Sequence, residues 1–170
     1  MQKSFTYLFW IVIFILAVCG SSICLQYKER QYLKPICTTR NEKNRLVLKS
    51  YNQQYLTYAF INGYRVKCLI DTGASNVSIP VNIAKNINLL SGKELYARTA
   101  NGTIKVYRTF ISTLKIGSIT LENIEGSINP SMHDDYVLIG MSALKYLDMI
   151  KVKNILILKK TTENNYHKVI

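Results

Sequence analysis

Residues 71–75, which read Asp-Thr-Gly-Ala-Ser, are the part of the chain whose residue types and spacing could do chemistry. They directly follow the apolar run 68–70, so Asp71 lies where a strand is expected to end. A carboxylate in that position could act as a general acid or base. The structural alternative is an Asx turn, in which Asp71 accepts hydrogen bonds and Thr72 and Gly73 are ordinary turn residues. The tripeptide alone leaves both interpretations open.

Other kinds of site find little support in the sequence. Ser75 and Ser78 are not part of a G-x-S-x-G nucleophile elbow, and the chain contains only two histidines. His133 lies beside two aspartates, but the other histidine, His167, falls in a polar tail, so a metal site is not expected. The sequence predicts no metal and no cofactor. The cysteines also lack C-x-x-C spacing; they are Cys19, Cys24, Cys37 and Cys68.

Two of these cysteines could matter for stability. Cys37 and Cys68 could pair in an oxidising compartment. Cys68, however, lies in the apolar run that leads to Asp71, so we expect a free and buried thiol at this position.

The elements that must position Asp71 read as an all-β domain from residue 51 onward. Short runs rich in Val, Ile, Thr and Tyr alternate with turn signals. Asn62-Gly63 lies between two such runs and predicts a type I′ hairpin, and Asn101-Gly102 predicts a second hairpin. The predicted strands are 55–61, 64–70, 95–100, 103–110, 111–116, 120–128, 136–139 and 150–158.

Two short helices are predicted within this domain. One follows Pro80, a residue suited to a first helical turn, and the other follows Gly140, with Met141, Leu144 and Leu147 on one face. With 170 residues, the chain has room for one domain and an appendage.

The appendage is an apolar N-terminal segment. No charged residue lies between Lys3 and Lys28. As a helix, this uncharged segment is long enough to cross a membrane. We predict a transmembrane anchor or signal anchor over 1–25, with a cleaved signal peptide as the alternative, and a basic polar linker over 26–50. Residues 28–45 carry six basic and two acidic side chains, so the positive-inside rule alone would keep the following domain in the cytoplasm.

The net charge of +12, from 22 basic and 10 acidic residues, would attract anionic surfaces of any kind. After residue 50, however, the basic residues are scattered, and Lys159-Lys160 is their largest cluster. A nucleic-acid groove needs a clustered basic face, so we expect no nucleic-acid partner.

With these elements in view, residues 71–75 resemble the active-site loop of the retropepsin-like aspartic proteases. Residues 137–140, Val-Leu-Ile-Gly, resemble the apolar strand that ends in glycine beneath that loop. The closer likeness is to the bacterial membrane-anchored branch, whose flap and Leu-Gly-Met-Ser element resemble residues 99–102 and 139–142. The likeness covers roughly 56–158. It implies that 51–170 form a retropepsin-like all-β barrel with one or two short helices, preceded by a transmembrane helix.

The resemblance implies an aspartic endopeptidase that hydrolyses peptide bonds in extended protein segments without a cofactor. Such chemistry needs two carboxylates about 3 Å apart that share one proton. The chain has one Asp-Thr-Gly, so a second Asp71 must come from a second copy in a two-fold homodimer. One Asp71 would activate the water as general base while the other donates a proton to the scissile carbonyl.

The resemblance also assigns roles to individual residues. Thr72 would hydrogen-bond across the dimer axis, and Gly73 would let the backbone approach the substrate closely. Gly140 and the helix after it would support the loop. The residues expected to bind the substrate are Ala74 in the loop and the three flap residues Ala100, Asn101 and Gly102.

The family likeness implies a single-pass protein of the bacterial inner membrane with its catalytic domain in the periplasm, against the count of flanking charges. The partners expected are a second copy and a protein or peptide substrate. The alternative function is a membrane-tethered retropepsin-like binding or adaptor domain without catalysis. The intact Asp71, Thr72 and Gly73 argue against it, because a degenerate copy is expected to have lost one of them.

Overall fold

The computed structural model describes residues 2–32, 44–99 and 102–161 of the chain. Its elements, in chain order, are α1 (Gln2–Tyr32), β1 (Arg45–Lys49), β2 (Leu56–Ile61), β3 (Tyr64–Ile70), β4 (Val77–Pro80), α2 (Val81–Asn86), β5 (Glu94–Thr99), β6 (Gly102–Ile116), β7 (Ile119–Asn129), β8 (Val137–Ile139), α3 (Met141–Leu144), β9 (Leu147–Val152) and β10 (Ile155–Lys160).

A closed barrel forms the body of the domain. Its strands run in the order β2-β3-β8-β4-β7-β6, and β6 pairs with β2 to close the ring. Strand β5 extends this sheet as a hairpin partner of β6. The pairs β3–β8 and β4–β7 are parallel, and the other pairings are antiparallel. The predicted all-β barrel with short helices and an apolar N-terminal helix is confirmed.

The barrel is held together by strand alternation. In β6, Ile111, Leu114 and Ile116 are fully buried, while the residues next to them are exposed. Inward-facing residues of the other strands complete one core, which burial of apolar surface stabilises. The hairpin between β2 and β3 turns on Asn62 and Gly63, whose φ angles are 49° and 87°. Both angles are positive, as the predicted type I′ turn requires.

A second sheet has three strands, in the order β1-β10-β9, and shares the core of the barrel. Leu46 and Leu48 of β1 and Leu158 of β10 are buried in the same core. Strand β1 and the end of α1 at Tyr32 both fall inside 26–50, the range predicted as linker. The single strand predicted over 150–158 is a hairpin instead, because β9 and β10 meet at a turn where Lys153 has φ 52°.

The two short helices lie where the sequence predicts them, but the second is shorter than predicted. Helix α2 follows Pro80 as predicted. Helix α3 begins after Gly140 but comprises four residues. The prediction that Leu147 lies on this helix is wrong, because Leu147 begins β9 and is buried there. One turn is enough because the chain then joins the second sheet.

Helix α1 is the one described helix that is long and apolar enough to cross a membrane. Its segment Phe9–Tyr27 has a mean hydropathy of 2.2, and none of it is buried against the rest of the chain. A membrane anchor and a signal sequence share these properties.

Candidate active site

Asp71 follows β3, and the neighbouring strand β8 fixes its position. Residues 68–70 pair in parallel with 137–139, and the Asp71 N–H continues this ladder by donating to the Ile139 carbonyl at 3.1 Å. Strand β8 also pairs with β4, through Ser78 and Leu138. It therefore lies between the strand that enters the Asp71 loop and the strand that leaves it. The loop 71–76 is tied at both ends to the same short strand.

The Asp71 carboxylate is held by its own loop. Its Oδ1 accepts the N–H of Gly73 at 2.8 Å, and the Ala74 N–H points to the Asp71 carbonyl at 3.4 Å. This is the Asx turn of the structural alternative, but the carboxylate is also partly exposed to solvent. A side chain oriented by the backbone and open to water on one side is arranged for proton transfer to a bound molecule.

Gly140 packs directly under this loop. A Cβ atom at Gly140 would lie 2.3 Å from the Asn76 carbonyl oxygen and 2.5 Å from that of Ala74. Both distances are far below van der Waals contact, and the neighbours are backbone atoms. Only glycine allows β8 and the loop to approach this closely. The predicted support of the loop by Gly140 therefore takes the form of a backbone-to-backbone contact.

The first turn of α3 joins the loop from behind. The N–H groups of Met141 and Ser142 donate to the carbonyls of Ala74 and Ser75 at 2.8 and 2.9 Å. The Ser142 hydroxyl accepts the Val77 N–H at 3.0 Å and donates to the Glu125 carbonyl at 2.7 Å, so it bridges β4 and β7. Sequence reasoning assigned no role to Ser142. Its signal in the sequence is its place in residues 139–142, which resemble the family's Leu-Gly-Met-Ser element.

A small apolar cluster includes Leu69, two residues before Asp71. Leu69 and Leu138 are opposite each other in the β3–β8 pair and belong to a small cluster outside the barrel core, together with Leu56, Tyr51, Tyr58 and Tyr136. Leu69 precedes Asp71 by two residues, so the alternation of a strand directs both side chains to the same face. These four residues, Leu69, Leu138, Tyr58 and Tyr136, are called the apolar shelf. Sequence analysis treated its tyrosines only as strand residues.

Charged groups surround the shelf. Lys67 forms an ion pair with Asp135 at 3.2 Å. Partial burial raises the pKa of Tyr136, and the Asp134 carboxylate raises it further. The Tyr136 hydroxyl therefore stays protonated and neutral through the physiological range.

The nearest thiol is not a competing catalytic group. Cys68 faces the barrel core, is fully buried and is free, as predicted. Burial raises the pKa of its thiol to about 12. At neutral pH the sulfur is therefore a protonated thiol without access to solvent, and the reactive thiolate does not form. Its candidate partner Cys37 lies outside the described residues.

The β5–β6 hairpin turns at residues 99–102, the segment predicted to be the flap. Thr99 pairs with Gly102, and the Thr99 hydroxyl donates to the Gly102 carbonyl at 2.9 Å. Ala100 and Asn101, predicted to bind substrate, lie outside the described residues. Gly102 has φ 112°, which favours glycine. In the described ranges no hydrogen bond joins Gly102 to the Asp71 loop.

The predicted site residues thus form two groups. Asp71, Thr72, Gly73 and Ala74 lie together in one loop, with Thr72 exposed. Gly102 lies at the tip of the other hairpin. On the outer face of that hairpin, Lys105 contacts Glu94 at 3.0 Å, and this hydrogen bond raises the pKa of the lysine.

Residues 58–146 match the sequence model of a known protein family. The model described as gag-polyprotein putative aspartyl protease matches residues 58–146, which include the Asp71 loop, the β5–β6 hairpin, β8 and Gly140. The chain belongs to this family of retropepsin-like aspartyl proteases. The predicted family is therefore confirmed.

Individual relatives agree with this family. The crystal structure of a retropepsin-like aspartic protease from Rickettsia conorii is similar to this chain, with a TM-score of 0.57 and 25% sequence identity. The match covers 68% of this chain and 89% of the Rickettsia chain. An uncharacterised protein of Rickettsia prowazekii is 26% identical over 88% of this chain and 68% of its own length. An uncharacterised protein from the cobV 5′ region of a Sinorhizobium species is 28% identical over 69% of this chain. This chain spans 52% of that relative, about half of its length.

The described residues show no cluster of side chains that could bind a metal ion. Across 44–99 and 102–161, no three His, Cys, Asp or Glu side chains come together as a metal would require. Asp134 and Asp135 flank the shelf, where one of them already pairs with Lys67.

Proposed function

We propose that this chain is an aspartic endopeptidase that works as a homodimer and hydrolyses peptide bonds in extended segments of other proteins. The observation that carries the proposal is the Asp71 carboxylate on its Asp-Thr-Gly turn. It is oriented by the Gly73 N–H at 2.8 Å, tied to β8 and open to solvent. Membership of the aspartyl protease family supports peptide hydrolysis as the reaction.

A second copy is needed because one chain supplies one such carboxylate. Three other acids in the described ranges have basic partners: Glu94 pairs with Lys105, Glu125 with Arg108 and Asp135 with Lys67. None of these acids lies on a turn like that of Asp71. Two Asp71 side chains about 3 Å apart would share one proton, since adjacent carboxylates cannot both stay charged at low cost.

In the dimer, the two carboxylates would divide the work. One Asp71 accepts a proton from a water held between the pair, and that water attacks the scissile carbonyl. The other, protonated, donates to the carbonyl oxygen. Thr72 would hydrogen-bond across the two-fold axis, for which its exposed position in one chain leaves it available. The carboxylates supply both proton transfers, so the mechanism requires no cofactor.

Substrate recognition would combine the shelf with the hairpin. The apolar shelf of Leu69, Leu138, Tyr58 and Tyr136 favours an apolar side chain beside the scissile bond. Ala74 lies at the edge of the catalytic loop and would contact the peptide backbone. Ala100, Asn101 and Gly102 would form a flap that pairs with the extended substrate as an added strand.

The apolar helix α1 supports a membrane location. We propose that it anchors the protein as a single-pass helix in a bacterial inner membrane, with residues 51–170 acting in the periplasm. A helix of which 19 residues have a mean hydropathy of 2.2 is suited to this role. A reporter fused at Ile170 tests this orientation. Activity of the reporter only in the cytoplasm would contradict a periplasmic domain.

Cleavage of a peptide library by the full chain in detergent tests the proposal. Asp71→Asn should lower kcat/KM by at least about 10³-fold, because it removes the proton-transfer group from both copies. The control is Asp148→Asn, which makes the same change at an exposed aspartate that accepts a hydrogen bond from Thr161. Peptide binding without cleavage by the wild type would favour the adaptor function, and equal cleavage by Asp71→Asn would refute the assignment.

A further inference from the structure

The three-stranded sheet has one face on the barrel core and one face turned away from it. Leucines at alternate positions of β1 and β10 are buried in the core, so the residues between them lie on the other side. Strand pairing places these residues in three rows, which together we call the outer face. Two of the rows are Val47, Ile157 and Ile150, and Lys49, Ile155 and Val152. The third row is Arg45, Lys159 and Asp148.

Five of these nine residues are β-branched and apolar. An antiparallel sheet that packs one face on a core normally carries polar side chains on the other face. On the outer face, exposure instead rises across an apolar row, from buried Val47 through half-buried Ile157 to Ile150, which is 56% exposed. Val152, on the same strand as Ile150, is 52% exposed. Neighbouring exposed apolar residues of this kind mark an interaction surface.

The charged residues of the outer face are mostly basic. Arg45, Lys49 and Lys159 accompany one acid, Asp148, so three basic side chains and one acidic side chain give the face a net charge of +2. Basic side chains next to exposed apolar ones suit the surface of a bilayer, where lipid phosphates attract the cations and the acyl boundary receives the apolar groups. A nucleic acid would pair with the charges but leave the apolar rows in water.

The connection to α1 holds the outer face close to a membrane in which α1 is inserted. Helix α1 ends at Tyr32, and the sheet begins thirteen residues later at Arg45. Even a fully extended chain of that length reaches only about 45 Å. Arg45 is itself part of the outer face, so the chain that comes from the helix enters the domain at the edge of this surface.

We propose that the outer face docks on a bilayer that contains anionic phospholipids and thereby orients the barrel above the membrane. The inference rests on the membrane location proposed for α1, but not on catalysis. None of the nine residues belongs to the Asp71 loop, to the apolar shelf or to the β5–β6 hairpin. Substitutions on the outer face therefore leave the residues proposed for catalysis and substrate binding unchanged.

Cysteine labelling of the full chain in lipid nanodiscs tests the inference. Ile150→Cys places a thiol on the outer face, a water-soluble maleimide measures its accessibility, and peptide mass spectrometry separates this label from label on the native cysteines. Discs that hold a single copy exclude coverage by a second one. In discs of phosphatidylglycerol, labelling should be at least about fivefold slower than in discs of phosphatidylcholine, because the basic residues draw the face onto an anionic surface. The matched control is Leu90→Cys, at an 86% exposed leucine outside the face, whose two rates should differ less than about twofold.

Charge reversal at Lys159 tests whether lipid charge causes the protection. Lys159→Glu changes the net charge of the outer face from +2 to zero. It should therefore reduce the difference between the two labelling rates at position 150 to less than about twofold. Val152→Cys repeats the measurement at a second exposed position, and circular dichroism checks that each variant is folded.

Three results would overturn the inference. One is equal labelling of Ile150→Cys and of Val152→Cys in both lipids. Another is protection only in discs that hold two copies, which would mean that a second copy covers the face. The third is protection that Lys159→Glu leaves unchanged, which would remove the role of anionic lipid. Cleavage assays separate the inference from the proposed function, since a chain that is protected but cleaves no peptide would retain the docking surface and refute the protease.

Discussion

At the residue scale, the site depends on the absence of a side chain at Gly140 as much as on the carboxylate of Asp71. From the sequence, Gly140 could be read as the start of a helix. The packing gives it a second role, because the carbonyls of Ala74 and Asn76 occupy the space of its missing Cβ. This role arises from the approach of two segments that are distant in sequence, so local spacing could not reveal it.

Gly140→Ala should therefore remove activity and lower stability. The added methyl group would meet backbone oxygen atoms at 2.3 and 2.5 Å, so the loop must move away from β8. We expect a loss of about 3 kcal/mol in the free energy of unfolding, at the upper end for overpacking, and a loss of peptide cleavage. Urea denaturation and a cleavage assay measure the two effects. Gly20→Ala is the control, since no atom lies within 4 Å of its added Cβ. Wild-type behaviour of Gly140→Ala would mean that the loop can shift without cost.

At the element scale, local signals predicted the hairpins well. The Asn62-Gly63 turn has the positive φ angles that the type I′ turn demands, and β2 and β3 flank it as predicted. The β9–β10 turn was missed because Lys153 adopts φ 52° there, a conformation usually associated with Gly or Asn. Strand β1 was missed because its three buried residues are flanked by Arg45 and Lys49, which resemble the basic linker before them.

The parts of the site that come from different elements were harder to predict. The glycine-ended strand β8 was recognised by resemblance, but its position between β3 and β4 depends on pairings between residues at least 60 positions apart. The Ser142 hydroxyl joins β4 to β7 through hydrogen bonds that no local pattern specifies. The apolar shelf beside Asp71 likewise combines β2, β3 and β8.

The flap role of the β5–β6 hairpin can be separated from its role as a turn by a matched pair of glycines. Gly102 and Gly63 both have positive φ angles, 112° and 87°, and neither added Cβ would meet an atom within 4 Å. Gly102→Ala and Gly63→Ala should therefore each lower the free energy of unfolding by about 1 kcal/mol, through backbone strain alone.

Only Gly102→Ala should also impair catalysis, because only that hairpin is proposed to close over the substrate. We expect kcat/KM to fall about tenfold for Gly102→Ala and to stay near the wild-type value for Gly63→Ala, an effect equivalent to about 1.4 kcal/mol. Thermal denaturation establishes that the two variants are equally stable at the assay temperature. Equal activity in both would leave the hairpin as a structural element without a part in catalysis.

At the scale of the whole molecule, the proposed mechanism makes activity depend on how often one copy meets another, because one chain supplies one Asp71. Each chain carries a net charge of +12, and like charges repel, so the contact between two free copies is expected to be weak. A membrane anchor, as proposed for α1, would change this balance. Confinement to a bilayer raises the effective concentration of the partners without adding any contact.

The proposed anchor can be tested by diluting the full chain in two different ways after reconstitution into lipid vesicles. If α1 holds the protein in the bilayer, adding lipid at constant protein should separate the copies and lower the cleavage rate per chain, in the limit about in proportion to surface density. Adding buffer to the same vesicles should leave that rate unchanged, because the surface density stays constant. A chain whose N-terminal segment acts only as a signal sequence would behave in the opposite way, since its dimer would respond to bulk volume and not to lipid. Asp71→Asn provides the background rate at every lipid ratio.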